Sequence, residues 1–352
     1  MENFSDELPK LDRNRGLLES VPQAMPECFE RYCSKYDDVF QRGTQREHFR
    51  TYLAGLLSES ARKNISVIAA NTVGSSYYNL HHFIHDSPWS AESLNERRID
   101  VIWQTRQTRP TVDFKLIIDD SGHRKSGTAT EGVSRQYIGQ IGKVDNGMVE
   151  VTSHIYDGVK GYPLDVRMYK PASRLEKGKE DPEFQKKPQL AIDLVDKCLK
   201  RGLKPGCVLL DAGYGNNAPT FSEATEVDYF ITNAQAHVAT AVWIAQNYSD
   251  RNWIEVFYRE TKGWLGMAEY QVRDQRSIER HWILVFTAFT FLACQRFSGG
   301  LRRQWSAEPL TSFAQTFRVF RHAVECQFLT KWLPGNWNVF SAHRAKQGLS
   351  FA

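Results

Sequence analysis

Two aspartates, each at the end of a short apolar run, are the residues of this sequence best suited to hold a cation. Asp119 closes "KLIID" and Asp211 closes "CVLLD". If these runs form neighbouring strands, both carboxylates emerge at the same end of a sheet, where they repel each other unless a cation joins them. Carboxylates suit Mg²⁺ or Mn²⁺, and two such ions can drive phosphodiester cleavage. For either aspartate alone the alternative is a turn, since Asp near Ser or Gly commonly forms one.

A third acid lies in the stretch "YSDRNWIEVFYRETK", residues 248–262. Four of its side chains fall at positions i, i+3, i+7 and i+14, which form one stripe of a helix. They are Tyr248, Arg251, Glu255 and Lys262. The carboxylate of this stripe is suited to complete the site of the two aspartates. The alternative is a solvated helix face, on which Arg251 and Glu255 form an i,i+4 pair of little energetic weight.

The order of predicted elements decides whether these acids can meet. Up to about residue 108 apolar residues recur three and four apart, which predicts helices. The runs "DFKLIIDDSG", "VSRQYIGQIG" and "GMVEVTSHIYDG" predict three consecutive antiparallel strands. A helix over "QLAIDLVDKCLKRG", strands at "PGCVLLDAGYG" and "VDYFITNA", and two long helices over 238–297 follow. The predicted fold class is α/β, a mixed sheet with flanking helices after a helical N-terminal domain.

These motifs resemble those of bacterial insertion-sequence transposases of the DDE class. The stripe of residues 248–262 matches their Tyr-Arg-Glu-Lys signature, "LIIDDSGHRKSG" is similar to their first-aspartate motif and "LLDAGYG" to their second. The resemblance covers roughly residues 45–297. It implies a helical DNA-binding region over 1–108, a ribonuclease-H-like catalytic domain over 109–297 and a helical tail over 298–352.

The resemblance also implies a role for each residue of the motifs. Asp119, Asp211 and Glu255 are the expected catalytic residues and would bind two divalent ions, Mg²⁺ or alternatively Mn²⁺. Glu260 is a rival of Glu255, and Asp120 a rival of Asp119, but strand alternation points neighbours to opposite faces. The remaining stripe residues, expected to hold phosphates of the element's end, are Tyr248, Arg251 and Lys262.

The implied function is that of a DNA transposase, which cuts the ends of an element and joins the 3′ hydroxyls to target DNA. Its expected partners are double-stranded DNA and a second copy in a homodimer. One departure is that only 43 residues lie between Asp211 and Glu255, where relatives commonly carry a β-rich insertion. The alternatives are a metal-dependent nuclease without strand transfer and an inactive, DNA-binding relic.

Further DNA contacts are predicted in two places. The stretch "RKNISVIAANTVGSSYYNLHHFIHD" resembles a helix-turn-helix, in which Ser75 or Ser76 caps a second helix that presents Tyr77 and Asn79. Any small helical bundle shows the same pattern. The basic residues after the first aspartate, including Arg124 and Lys125, could neutralise phosphates or could form a solvated edge.

Composition sets wider limits on the class of protein. The net charge of +4 and pI near 8.6 permit a nucleic-acid partner without demanding one. Six cysteines without a CxxC pair favour a reduced, cytoplasmic protein, and we expect association with the nucleoid. No signal peptide is expected at the N-terminus. The apolar run at 282–297 is too short for a membrane span, so it predicts a buried helix.

Overall fold

The computed structural model describes residues 25–72, 75–111, 113–211, 234–235 and 237–328. Its first part is helical, as the apolar spacing predicts. The helices are α1 (Glu27–Ser34), α2 (Gly43–Leu56), α3 (Ile65–Ala70), α4 (Tyr77–His85) and α5 (Ala91–Trp103).

Polar side chains set the starts of the later helices in this region. The side chains of Asn64, Ser76 and Ser90 each accept a hydrogen bond from a backbone N–H of the first turn of α3, α4 and α5. Of the two serines predicted as caps of α4, the cap is therefore Ser76. The pair α3 and α4 has the order expected of a helix-turn-helix.

The described sheet is mixed and has five strands, as the predicted fold class requires. A long central strand pairs antiparallel with three others, and the last strand lies parallel to the first in the order β2-β3-β1-β5, with β4 also paired to β3. The strands are β1 (Lys115–Arg124), β2 (Ser134–Ile138), β3 (Lys143–Tyr156), β4 (Gly161–Tyr169) and β5 (Cys207–Leu210).

Three details differ from the strands predicted from sequence. Strand β1 does not end at Asp119 but continues to Arg124, because β3 pairs with it over its whole length. The meander has a fourth strand, β4, which contains Pro163 at the point where its register with β3 shifts. A bulge tolerates a residue without an N–H donor. The predicted strand "VDYFITNA" lies, except for its last residue, outside the described residues.

Helices cover both faces of the sheet. One short amphipathic helix packs on β1, β3 and β4, and the two predicted long helices are present. They are α6 (Lys187–Lys200), α7 (Ala241–Trp264) and α8 (Gln275–Ser298), followed by α9 (Gly300–Trp305) and a helical segment at 313–328. The apolar run of 282–297 is buried in α8, and no helix in the described part of the chain could span a membrane.

Side chains on the two faces of β1 belong to two different hydrophobic cores. Leu116 and Ile118 belong to the smaller core under α6, and Ile117 belongs to the larger core, which includes α8 and the N-terminal helices. Because side chains alternate along a strand, Asp119 follows Ile117 onto the face of the larger core. Asp120 faces α6.

Candidate active site

Strand pairing brings the two predicted aspartates next to each other. In the parallel pair of β1 and β5, Ile118 is opposite Leu210. Asp119 and Asp211 are the next residues, so they emerge together at the carboxyl end of β5, while β1 continues. Burial is the main cause that raises the pKa of Asp119, and the charge of Asp211 adds to it. The neighbouring strands that the sequence argument required are therefore present, and a turn does not explain Asp119.

Asp119 is an unusual carboxylate because it is largely buried. Burial raises its pKa to about 7, and the positive charge of Arg251 opposes that shift. Arg251 Nη1 donates to Asp119 Oδ2 at 2.9 Å, and the backbone N–H of Asp120 donates to Oδ1 at 2.8 Å. This environment favours either a proton or a cation at the carboxylate.

Helix α7 carries the third acid over this end of the sheet. The hydroxyl of Thr240 caps its first turn, and the phenol of Tyr258 donates to the carbonyl O of Asp119 at 2.9 Å. Arg251 Nη2 donates to Glu255 Oε1 at 3.0 Å. One guanidinium thus joins Asp119 and Glu255, although the Glu255 side chain remains 54% exposed.

The other residues of the α7 stripe have different surroundings. Tyr248 is partly exposed, with its ring centroid 5.6 Å from the Arg251 guanidinium carbon. Lys262 is directed inward, since its ammonium donates to Ser121 Oγ at 2.5 Å and to Gly122 O at 3.0 Å. Of the two, Tyr248 is therefore the residue on the accessible side.

The rivals of the predicted acids lie away from this site. Asp120 is on the opposite face of β1, where the Lys187 ammonium of α6 lies 2.7 Å from its Oδ2. Glu260 has its pKa raised to about 7 by burial, against the charges of Arg296 and Arg259. It lines a cavity on the α8 side of α7.

Some of the predicted DNA contacts outside α7 are exposed, and one is turned inward. Tyr77 and Asn79 are exposed on α4, and Arg124 is 72% exposed beside Asp145, 3.2 Å away. Lys125 turns inward: its ammonium lies 3.4 Å from the Tyr270 ring centroid and donates to the carbonyl O of Ala268 at 3.4 Å. An inward ammonium is not placed to meet a phosphate.

Two residues of this region were not predicted from sequence. Tyr258 continues the α7 stripe three residues after Glu255, so helical spacing alone could have identified it. Glu150, opposite Ser121 on β3, is completely buried. It stands in the alternating run "GMVEVTSHIY", where a charged residue among buried neighbours was the available signal.

The donor set fits a hard divalent cation by its chemistry. Asp119, Asp211 and Glu255 all offer carboxylate oxygens, and Arg251 shows that a positive charge is accommodated between two of them. Among the described residues no three acidic, histidine or cysteine side chains are already arranged as a metal cluster.

Comparison with known proteins gives a family match and a similar protein. A family model described as DDE superfamily endonuclease matches residues 35–244. The chain belongs to this DDE endonuclease family. A relative described as a probable transposase for insertion sequence element IS701, from Microchaete diplosiphon, is 36% identical over 193 residues, which are 54% of this chain and 49% of the relative. The match therefore spans about half the length of that relative.

Membership of the DDE endonuclease family implies dependence on a divalent metal ion. The matched residues include Asp119 and Asp211 and end at residue 244, before Glu255. The case for Glu255 therefore rests on its position over Asp119 on α7 and on the spacing of the stripe.

Proposed function

We propose that this DDE endonuclease is a DNA transposase that cuts the ends of an element and joins the freed 3′ hydroxyls to target DNA. The observation that carries the proposal is the parallel register of β1 and β5, which places Asp119 beside Asp211. The stripe of α7 adds Glu255 through Arg251. The relative from Microchaete diplosiphon supports the choice of transposition among endonuclease activities.

Each acid has a part in this proposal. Asp119, Asp211 and Glu255 would hold two divalent ions, Mg²⁺ or Mn²⁺, and such ions would supply activation of the attacking oxygen and stabilisation of the leaving one. Burial of Asp119 makes it a strong ligand, because a cation relieves the cost of an ionised carboxyl group there. Tyr258 fixes the Asp119 backbone under α7.

Double-stranded DNA is the proposed substrate, both at the element's ends and at the target. Tyr248 and the exposed groups Tyr77, Asn79 and Arg124 are the proposed DNA contacts. Arg251, which bonds to Asp119 and Glu255, has further N–H donors for a phosphate and stays a proposed DNA contact. We propose a homodimer, since joining two element ends requires two active sites, and a cytoplasmic location at the nucleoid.

A strand-transfer assay tests the proposal. The substrate is a duplex ending in the element's terminal sequence, with a supercoiled plasmid as target and Mg²⁺ or Mn²⁺ as the only added metal. Cleaved and joined products are expected with the unsubstituted protein and not with Asp119→Asn, Asp211→Asn or Glu255→Gln. Lys187→Met, a change on the opposite face of β1, serves as the control and is expected to stay active.

Each of the two alternative functions is favoured by one observation and would give its own result in these assays. The short segment between Asp211 and Glu255 leaves less chain to hold a DNA end, so cleavage without joining would identify a nuclease. The contact of Arg251 with both acids favours an inactive relic. Unchanged DNA binding by Asp211→Asn, without cleavage by either protein, would identify that relic.

A further inference from the structure

An exposed β-hairpin lies beside the carboxyl end of β1. It consists of β2 and the first residues of β3, which pair antiparallel. Tyr137 is directly opposite Val144, so their side chains lie on one face of the hairpin. Tyr137 is 60% exposed, Val144 is 52% exposed and Ile141, in the turn, is 38% exposed. We call residues 134–147 the ribbon. Neighbouring exposed apolar side chains of this kind mark a surface for a partner, whereas isolated ones do not.

The base of the ribbon is fixed on the sheet. Ile138 is buried and covers two glycines: a Cβ atom at Gly122 of β1 would lie 3.0 Å from Ile138 Cγ2, and one at Gly147 of β3 would lie 2.8 Å from Ile138 Cδ1. The side-chain amide of Asn146 donates to the carbonyl O of Lys125 at 2.6 Å and thereby binds the loop after β1. The apolar pair is therefore presented by a fixed hairpin, and its exposure does not come from fraying of the hairpin end.

Basic residues surround this apolar pair. Residues 124–147 contain four basic and two acidic residues, so this stretch carries +2 of the chain's net charge of +4. Arg135 is exposed on the same face of β2 as the tyrosine of the pair. Lys143 and Arg124 are exposed on the other face, beside Asp145, whose Oδ2 is 3.2 Å from Arg124 Nε. The surface is therefore complementary to a polyanion, and a second copy of the same positive surface would be repelled.

The ribbon lies within reach of DNA at the candidate active site. Arg124 follows Asp119 by five residues of β1, which is about 17 Å at 3.4 Å per residue. A duplex advances about 3.4 Å per base pair, so about five base pairs cover that distance. A two-stranded β-ribbon also has the width that the major groove admits. These dimensions allow one duplex to contact both the ribbon and the acids.

We propose that the ribbon enters the major groove of the DNA, with Tyr137 and Val144 against base edges and Arg135 and Lys143 against phosphates. The apolar pair then contributes to the choice of sequence, because base contacts specify a site while phosphate contacts position the protein. The proposal rests on the proposed function, which supplies the duplex. It adds a second DNA contact surface to that of α4, and it gives the exposed apolar face a role that the chemistry at the acids does not require.

Fluorescence anisotropy of a labelled duplex tests the ribbon directly. The duplex ends in the element's terminal sequence, and EDTA prevents cleavage. Tyr137→Thr, which keeps a residue typical of strands, is expected to weaken binding about tenfold at every salt concentration, because the lost contact is not ionic. Its binding to an unrelated duplex of equal length is expected to change less than about twofold, since that duplex offers no specific base contact. Lys143→Gln is expected to reduce the slope of log affinity against log salt concentration by about 0.9.

Two variants outside the ribbon are matched controls. Val159→Thr, in the turn between β3 and β4, makes the same change as Val144→Thr at a more exposed valine. Val144→Thr is expected to weaken binding about threefold, and Val159→Thr is expected to leave it unchanged. Lys200→Gln removes an exposed charge of α6 and is expected to leave the salt slope unchanged. Binding by Tyr137→Thr equal to that of the unsubstituted protein, or equal effects of the two valine variants, would overturn the proposal.

The remaining outcomes separate the ribbon from the proposed function. If the unsubstituted protein binds neither duplex, the proposed function and the role of the ribbon are both wrong; if it binds and the ribbon variants bind equally, only the role of the ribbon is wrong. A molecular mass that falls in Tyr137→Thr without DNA, measured by light scattering, would show that the ribbon binds a second copy and would overturn the DNA assignment. If Tyr137→Thr does not fold, the salt slope of Lys143→Gln decides: a reduction of about 0.9 supports the proposal, and an unchanged slope overturns it.

Discussion

Asp119 is an ionisable carboxyl group in a buried position. Its burial makes the free energy of unfolding depend on pH. Burial raises the pKa of the folded protein's Asp119 to about 7 from its ordinary 3.8, against the opposing charge of Arg251. Between these values the folded state binds more protons than the unfolded state. The free energy of unfolding therefore falls as pH rises through this window, by at most about 1.4 kcal/mol per pH unit.

Replacement of Asp119 by Asn removes the buried ionisable group. We expect Asp119→Asn to lack that fall in the free energy of unfolding and to be more stable than the unsubstituted protein at pH 7 by about 1 to 3 kcal/mol. Urea unfolding at pH 5 and pH 7 measures both effects. Asp120→Asn is the control, because it loses the contact with Lys187 on the other face and should gain no stability. Equal pH dependence in Asp119→Asn and the unsubstituted protein would contradict the argument.

Arg251 bonds to two of the three carboxylates that are proposed to hold a divalent ion. The guanidinium bonds to Asp119 at 2.9 Å and Glu255 at 3.0 Å, so its removal frees both carboxylates for a cation. We expect Arg251→Gln to increase the Mn²⁺ affinity about tenfold, which corresponds to about 1.4 kcal/mol. Isothermal titration calorimetry measures the change, with Lys187→Gln as a control for general loss of positive charge. An equal increase in both variants would show that contact with the carboxylates is irrelevant.

At the scale of elements, a buried arginine of α8 attaches α4 to that helix. Arg280 is buried and donates to the backbone carbonyls of Ile84 and Ser87 at 2.8 Å. Its guanidinium carbon lies 4.6 Å from the Trp89 ring centroid. These carbonyls belong to the end of α4 and the residues after it, which otherwise lack intrahelical partners. The helix proposed to contact DNA is therefore held by α8.

Loss of this attachment should be measurable as loss of stability. Arg280→Leu leaves buried carbonyls without donors, and we expect a loss of about 3 to 5 kcal/mol in the free energy of unfolding. Arg276→Leu, one turn earlier on α8, removes a bond from an exposed side chain to the carbonyl of His85 and is expected to lose less than about 1 kcal/mol. Denaturant unfolding of the two variants compares them directly. Similar losses in both would show that Arg280 is no special attachment.

The positions of these elements show which features could be predicted from the sequence. Alternation predicted Asp120 on the other face of β1. The prediction of Asp119 beside Asp211 depended on the two strands being neighbours, which only the structure shows. Helical spacing showed that Arg251, Glu255 and Lys262 share a stripe, but spacing carries no information about depth. Lys262 and Lys125 are turned inward because of Ser121, Gly122 and Tyr270, which are distant from them in sequence. Strand β4 was missed because Pro163 interrupts its pattern, and only the bulge against β3 accommodates that proline.

At the scale of the whole molecule, one hydrophobic core crosses the domain boundary predicted at residue 108. Phe29 of α1, Phe291 of α8 and Phe320 of the segment at 313–328 form a cluster, with ring centroids 5.1 to 5.9 Å apart. The N-terminal helices therefore pack on the helix that also borders the sheet. The helix proposed to contact DNA, α4, is consequently held in a fixed relation to Asp119.

Arg124 and Lys125 are neighbours with opposite orientations. Their substitution therefore tests which positive side chains contact DNA phosphates. Arg124 is exposed, so Arg124→Gln should reduce the slope of log affinity against log salt concentration by about 0.9, the change for one phosphate contact. Lys125→Gln should leave the slope unchanged, since its ammonium faces Tyr270. Fluorescence anisotropy of a labelled duplex between about 50 and 200 mM salt measures both slopes. A reduced slope for Lys125→Gln alone would mean that the DNA path follows the opposite side of β1, and that Lys125 leaves the interior when the duplex binds.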